Sequence, residues 1–392
     1  MESLSGRTLA CDASIVRFIL IVIVSINQAI YQFLISTTYN VKGVGVKQFT
    51  DQQGNQTAHL IGLFNRNIQF AQHGIKAIWV FDGKPPELKS RTLEKRKENR
   101  DKAEDEKEEA QEDGDEFKMA KMAQRTVKVT KSMVEDAKRL VKAMGFPVVH
   151  APGEAEAFCA YLVKEGKAFA TVSEDMDSLT FGSPFMIRGM SMAKQKAGIE
   201  LMQIELSKVL FSLKLTYEEF VDLCIICGCD YTATITGIGA VKAYKFITEY
   251  RTIEKVLKAI DKEIFSSKGK KAKYIIPEDF PYQEARELFL HQDYKEQLQE
   301  LQDQLKWNKP NDEEIKEFLI KEKNFNEEKV DNGLKKLNKF SPTQGRTQVR
   351  LDSFFKSNTT TSTSTTPNKD TKKSQTPIQK SKPSNGFKRG KR

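Results

Sequence analysis

Three short runs of β-branched and aromatic residues close on aspartate, and they constrain this chain more than any other feature. "RTLACD" ends at Asp12, "IKAIWVFD" at Asp82, and "KAFATVSEDMD" at Asp175 and Asp177. Between them lie amphipathic stretches such as "TAHLIGLFNRNIQFAQHG" and "EAEAFCAYLVKEG". Strands alternating with helices predict an α/β fold around a mainly parallel sheet. Ligands of such sheets gather beyond the carboxyl ends of the strands, where these aspartates stand.

The acidic set extends further. "PGEAEA" adds Glu154 and Glu156 at a predicted helix start after Pro152 and Gly153, and "GCDY" adds Asp230. Asp175 and Asp177, two apart in what should be extended chain, would point to one side with Met176 turned away. Residues two apart do not share a helix face, so Glu154 and Glu156 reach one site only if Glu154 sits in the cap or first turn. Seven such carboxylates repel one another unless cations are bound, and an all-oxygen set selects Mg2+ or Mn2+. A pair of these ions activates water and stabilises the leaving oxygen of a phosphodiester. Taken singly, each acid is a cap or a surface residue. The set carries the metal reading.

The formal charge is +10, yet from residue 356 onward the chain holds ten Lys/Arg against one Asp, so its body is close to neutral. Contact between that body and an anionic partner must come from local basic patches. Three of the five cysteines crowd into "CIICGC" (Cys224, Cys227, Cys229), with no second Cys or His pair at zinc-finger spacing. Buried helix thiols in an intracellular chain are expected, not a secreted disulfide framework. The apolar run "FILIVIV" at residues 18–24 lacks the order of a signal peptide. It also falls well short of the roughly 20 residues a bilayer needs. Its residues suit a buried strand as one reading, and no membrane partner is expected.

Residues 87–125 are nearly all charged, which predicts a solvated helix of the kind used as an arch or lid. From about residue 206 to residue 338 the pattern is helical, broken by glycines at "TGIGAVKAYKFI". Gly237 and Gly239 permit a tight turn whose backbone approaches a phosphate, and the next helix starts with its amides exposed. Lys242 and Lys245 follow on that helix. Alone, such a G-x-G is weak, and a plain helix turn explains it as well. After Ser341, Ser/Thr/Pro/Lys low complexity predicts a disordered tail ending in "FKRGKR".

"VFDGKPPELKS", "APGEAEAFCAYLVKEGKAFATVSEDMDSLTFGS" and "CGCDY…TGIGAVKAYKFI" closely resemble the eukaryotic flap endonucleases of the XPG/Rad-type structure-specific 5′ nuclease family. The resemblance covers about residues 4–355. It implies a PIN-like α/β nuclease domain with a mainly parallel sheet, a helical arch, a helix–two-turn–helix DNA-binding region and a disordered C-terminal tail. On this scheme 1–86 is an N-terminal nuclease region, 87–125 the arch and 126–235 an internal nuclease region. Residues 236–340 hold the helix–two-turn–helix and the C-terminal helices, and 341–392 the tail.

The implied reaction is Mg2+-dependent 5′ flap cleavage with 5′→3′ exonuclease activity on flapped or nicked DNA. Its setting would be Okazaki fragment maturation and long-patch base-excision repair. Asp12, Asp82, Glu154, Glu156, Asp175, Asp177 and Asp230 would hold two Mg2+, with Mn2+ as a substitute. Lys89 and Arg96 would reach the scissile phosphate and offset its developing charge. Tyr31 would stack on a base near the cut. Arg66, Lys128, Gly228, Glu154 and Asp230 match positions that contact DNA in the family. Gly237, Gly239 and Lys242 would grip duplex DNA with a bound K+, reading backbone and not sequence.

"QVRLDSFF" at residues 348–355 fits the box by which replication proteins dock on the PCNA sliding clamp. Gln348, Leu351, Phe354 and Phe355 would be its anchors. The chain would be monomeric, with one copy loading on each subunit of a trimeric clamp. The basic terminus reads as a nuclear-import or DNA-contacting tail. A nuclear location is expected, with nucleolus and mitochondrion left open.

Two departures from the family pattern stand out. The chain opens at "MESLSGRTLACD", without the further N-terminal segment that family members carry, so it reads as truncated there. Residues 16–28 separate "DASI" from "AIYQFLI", and without these thirteen residues the family pattern runs uninterrupted. The ends of that segment can be encoded as splice-site sequence, so it is read as an insertion arising from a retained intron or a gene-model error. In addition, Thr38 stands where the family commonly places a DNA-contacting Arg. The alternative function is a clamp- and DNA-binding protein that truncation and insertion have stopped from cleaving.

Overall fold

β1 (Ile21–Ser25) carries the sequence IVIVS into the middle of the sheet. It is the first element among the residues that the computed structural model describes, which are 21–37, 39–41, 45–47, 50–51, 56–190, 198, 200–266, 274–301 and 304–339. α1 (Ile26–Thr37) leaves it directly, and the short antiparallel pair β2 (Tyr39–Val41) and β3 (Gly45–Lys47) follows. α2 (Ala58–Gln72) and β4 (Lys76–Phe81) come next, where their patterns predict them. A 3-10 turn (Glu87–Lys89) leads into α3 (Ser90–Glu112), α4 (Glu116–Arg125) and α5 (Lys131–Ala143). β5 (Val148–His150), α6 (Ala155–Lys164), β6 (Ala170–Val172) and the one-turn α7 (Asp177–Thr180) continue the alternation. After β7 (Phe185–Arg188) and β8 (Met202–Glu205), the described chain is helical. Its helices are α8 (Leu206–Leu213), α9 (Tyr217–Cys227), α10 (Ala240–Tyr250) and α11 (Ile253–Ser266), then α12 (Tyr282–Leu290) and α13 (Lys295–Leu301). α14 (Asp312–Lys316) runs into a π-helical turn (Glu317–Glu322), and α15 (Glu327–Lys339) follows.

The strands lie in the order β5-β4-β1-β6-β7-β8, all neighbours parallel except β7 and β8. This is the mainly parallel α/β sheet that the sequence predicts. Successive residues of β4 go to opposite faces, as a pleated strand requires. Trp79 and Phe81 join Val22, Val24, Val172 and the α1 and α2 residues Ile30, Leu60 and Leu63 on one side. Ile78 and Val80 meet Val149 and the α6 residues Phe158 and Leu162 on the other. A parallel strand covered on both faces needs continuous apolar sequence, and "IVIV" and "AIWVF" supply it. The helical half has its own core, with Val221, Ile225, Ala243, Ile247, Ile260 and Phe289 among its members. Thr216 and Glu219 close a capping box that fixes the start of α9.

Two expectations change against this framework, one in the charged stretch and one at Asp175–Asp177. Of the segment 16–28, Ile21–Ser25 fills the central strand, pairing with both β4 and β6. The strand expected at "RTLACD", with Asp12, lies outside the described residues. The charged stretch 87–125 is two helices packed together, broken at Gly114, whose φ of 68° favours glycine, and restarted by the Asp115 cap. Nor is it polar all round, since Ala103 and Ala110, seven residues apart on one face of α3, are buried. Finally, Asp175 to Asp177 is not extended: Asp177 starts α7, with its amide donating to Asp175 Oδ1 at 3.1 Å.

Among the described residues no helix is long and apolar enough to cross a membrane. Cys224 and Cys227 are half-buried on α9, while Cys229 lies beyond the helix end at Gly228. The clamp box and tail, including Gln348, Leu351, Phe354 and Phe355, lie outside the described residues, as does Thr38.

Candidate active site

The parallel strands all run out toward one edge of the sheet, and their next residues build the site. β4 runs into Asp82, β5 leads through Pro152 and Gly153 to Glu154, and β6 runs through Ser173 to Asp175. The β4 and β5 loops touch: the Gly83 amide donates to the Gly153 carbonyl at 2.7 Å, and a Cβ on Gly83 would lie 2.2 Å from the Ala151 carbonyl oxygen. Glu154 is the N-cap of α6, the placement its spacing from Glu156 requires. Asp82 Oδ1 accepts from the Ala155 amide at 2.7 Å, so one acid anchors the helix start that presents the others.

Lys89 and Arg96 meet these acids from the base of α3. Lys89 Nζ donates to Glu154 Oε1 and lies 3.2 Å from Asp230 Oδ2. Arg96 donates to Asp230 Oδ1 at 2.6 Å, and the Thr92 hydroxyl to the Asp230 carbonyl at 2.7 Å. Tyr231 donates its phenolic hydrogen to Glu154 Oε2. Burial works against the Lys89 charge, but Glu154, then Asp230 and Glu156, outweigh it and raise its pKa. Burial and the neighbouring Glu154 carboxylate likewise push the Tyr231 phenol up, so it remains a donor.

The remaining carboxyls are under-compensated. Partial burial, with Asp175 and Asp82 nearby, pushes Glu156 up to about 8. Partial burial, with Asp175 and Asp230, pushes Asp177 up to about 7. Six of the seven acids read from the sequence therefore do come together: Asp82, Glu154, Glu156, Asp175, Asp177 and Asp230. Asp12 is the one outside the described residues. Among those residues no three of the acids form a closed ion cage as they stand. Both Glu154 oxygens are taken, one by Lys89 and one by Tyr231. The donor chemistry nonetheless fits a hard divalent cation: every donor is oxygen, and two carboxyls are held back from ionising by burial and by their acidic neighbours.

Other sequence-read positions divide between surface and core. Tyr31, on α1, is 42 % exposed, open enough to stack. Lys128 and Gly228 are exposed, and Gly228 ends α9 at φ 110°. Gly237 (φ 88°) and the extended Gly239 form the turn before α10, braced by paired backbone bonds between Thr236 and Ile275. Lys242 Nζ donates to the Gly237 carbonyl at 2.7 Å, and Lys245 is exposed beside it. Arg66 does not fit a DNA-facing role. It is buried, 4.6 Å from the centre of the Phe33 ring, with burial lowering its pKa to about 10. α2 is packed on both sides, so its cation faces protein, not solvent. Tyr231 and Thr92 went unassigned in the sequence, because nothing but their motif neighbours marks them.

The fold and this acid-lined strand edge define a PIN-like nuclease of the XPG type. The XPG N-terminal domain matches residues 1–103 and the XPG I-region residues 145–230. Flap endonuclease 1 of Tetrahymena thermophila is 42 % identical over 352 residues, covering 90 % of this chain and 86 % of the relative. Flap endonuclease 1 of Zea mays is 43 % identical over 361 residues, covering 92 % and 86 %. Among solved structures, flap endonuclease-1 from Methanococcus jannaschii superposes with a TM-score of 0.58 at 29 % identity, over 82 % of this chain and 92 % of that one. The catalytic core of Rad2 in complex with DNA substrate gives 0.57 at 23 % identity, over 81 % and 92 %, a likeness of fold alone. The chain belongs to the flap endonucleases of the XPG family.

Proposed function

We propose that this chain is a structure-specific 5′ flap endonuclease with 5′→3′ exonuclease activity, working in Okazaki fragment maturation and long-patch base-excision repair. The observation that carries the reading is the meeting, among the described residues, of six carboxyls with Lys89 and Arg96 at the strand edge. Asp82, Glu154, Glu156, Asp175, Asp177 and Asp230 are the residues that would hold two Mg2+, or Mn2+ in their place. When bound, these ions supply Lewis-acid stabilisation for hydrolysis of a phosphodiester.

The protein's own groups do the positioning. Lys89 and Arg96 sit against the acids, within reach of a phosphate placed there, and offset charge that develops on it. Tyr31 offers its face to a base. The α10 N-terminus, with exposed Gly237, Gly239, Lys242 and Lys245, suits a duplex backbone and K+ and carries no group set out to read bases. Lys128 and Gly228 extend that contact. The box at residues 348–355 would dock on the sliding clamp, and the basic tail suits a nuclear location.

The test is cleavage of a 5′-flap duplex in Mg2+ by this chain and by Asp175→Ala. Incision at the junction by the first alone is expected. No cleavage above the variant, with flap binding intact, would overturn the reading in favour of a non-cleaving binder.

A further inference from the structure

β4, β1 and β6 are adjacent and parallel, and they end at one edge. Their outer two members run into Asp82 and into Glu174 and Asp175, but the central one ends on Ser25. Ser25 is 3 % exposed. It lines a small cleft with Gln28, Arg66 and Glu174. Buried Arg66 lies over Phe33, donates to the Met190 carbonyl at 3.4 Å and is attracted by Glu174, while its Nε has no hydrogen-bond partner.

The sequence explains the missing acid. Asp12 stands thirteen residues before Ser25, and residues 16–28 number thirteen. Taking that segment out slides Asp12 to the place of Ser25, six residues before Tyr31 in both cases. Residues 8–11, Thr-Leu-Ala-Cys, slide to the places of Ile21, Val22, Ile23 and Val24, and nothing from Ala29 onward changes register. Two sequences thirteen residues apart therefore compete for one slot, since only one strand can pair with β4 and β6 there. The β-branched run is the better occupant of a strand covered on both faces, and Val22 and Val24 are 0 % and 2 % exposed.

The last residue of the segment is also tied in. Gln28 Oε1 accepts from the Ser173 hydroxyl at 2.9 Å and the Glu174 amide at 3.2 Å. That same hydroxyl accepts from the Asp175 amide at 3.0 Å.

We propose that residues 16–28 act by replacement: they install Ser25 at a strand end the cation site needs acidic. This form of the chain then has a divalent-cation site short of one carboxylate, and the form without them has the complete one, with Asp12 in place. The proposal rests on the metal-nuclease reading above.

Manganese titration by calorimetry and electron paramagnetic resonance, with hydrogen exchange, tests it on four full-length proteins: this chain, Ser25→Asp, Asp12→Ala, and the chain lacking residues 16–28. Ser25→Asp and the deletion should each bind Mn2+ at least about tenfold more tightly, the lower end of what lost outer partners cost a metal site. Slow exchange should sit at Val22–Val24 in this chain and at residues 9–11 in the deletion form. Weaker Mn2+ binding by Asp12→Ala in the uncut chain, or equal protection of residues 9–11 in both forms, overturns the proposal. If Ser25→Asp does not fold, those two measurements still decide it. A deletion form that binds no Mn2+ at all overturns the nuclease reading itself, and this inference with it.

Discussion

Two clusters of charge, one at the strand edge and one in the helical half, are built from the same residue types to opposite ends. Between α9, α11 and α12, Arg286 donates to both Asp222 oxygens at 2.7 and 2.9 Å and to Glu254 at 2.9 Å. Asp222 Oδ2 also takes the Ile253 amide at 3.1 Å. Burial works against the Arg286 charge, but Glu254 and Asp222 outweigh it and raise its pKa. Burial raises the Asp222 pKa, while Arg286 and the Ile253 amide work against that rise. At the strand edge, six carboxyls share Lys89 and Arg96, and two are pushed into the neutral range. A matched cluster holds helices together. An unmatched one stores repulsion that a bound cation relieves.

The largest break in that comparison should come from Arg286→Ala. It leaves Asp222 buried without its partner, at a cost of about 3–5 kcal/mol, read by urea unfolding. Lys89→Ala should cost little stability by comparison but slow single-turnover flap cleavage roughly a hundredfold or more, the scale of losing one oriented donor. A stability loss as large as that of Arg286→Ala would show that Lys89 is a structural cation instead.

His59 sharpens the contrast, for it is buried and neither ring nitrogen has a hydrogen-bond partner. Burial, then Lys323, lowers its pKa from 6.5 to about 4. The unfolded chain therefore binds the extra proton between those values. Stability present above pH 6.5 is lost as pH falls toward 4, by at most about 3 kcal/mol. His59→Gln should flatten that part of a melting-temperature profile, and an unchanged slope would place the titration elsewhere. The smallest effect is a gain: Glu156→Gln should stabilise the cation-free protein by about 1 kcal/mol at pH 8 while impairing cleavage. Destabilisation by that change would mean the carboxyls are not in conflict.

Much of this was legible in the sequence because local pattern and final placement agree. "IKAIWVFD" is a strand because its apolar run suits two covered faces, and "PGEAEA" presents Glu154 as a cap because proline and glycine stop the preceding chain there. The central strand was harder. "FILIVIV" could be read both as a buried strand and as foreign matter, since a family pattern resumes on either side of it, and the pairing of Ile21–Ser25 with β4 and β6 bears out the strand. Arg66 was assigned by its match to a family DNA-contacting position, and a match of position says nothing of burial, which places it against Phe33. The bond from Tyr231 to Glu154 joins residues far apart in the chain, and no spacing rule reaches that distance.

The contact between Gly83 and the β5 loop has a mechanical consequence. The gap between Asp82 and Glu154 is set by main chain lying on main chain together with the Asp82 bond to the Ala155 amide. Any side chain at position 83 would push this backbone apart, so the spacing of two acids depends on a residue that is neither of them.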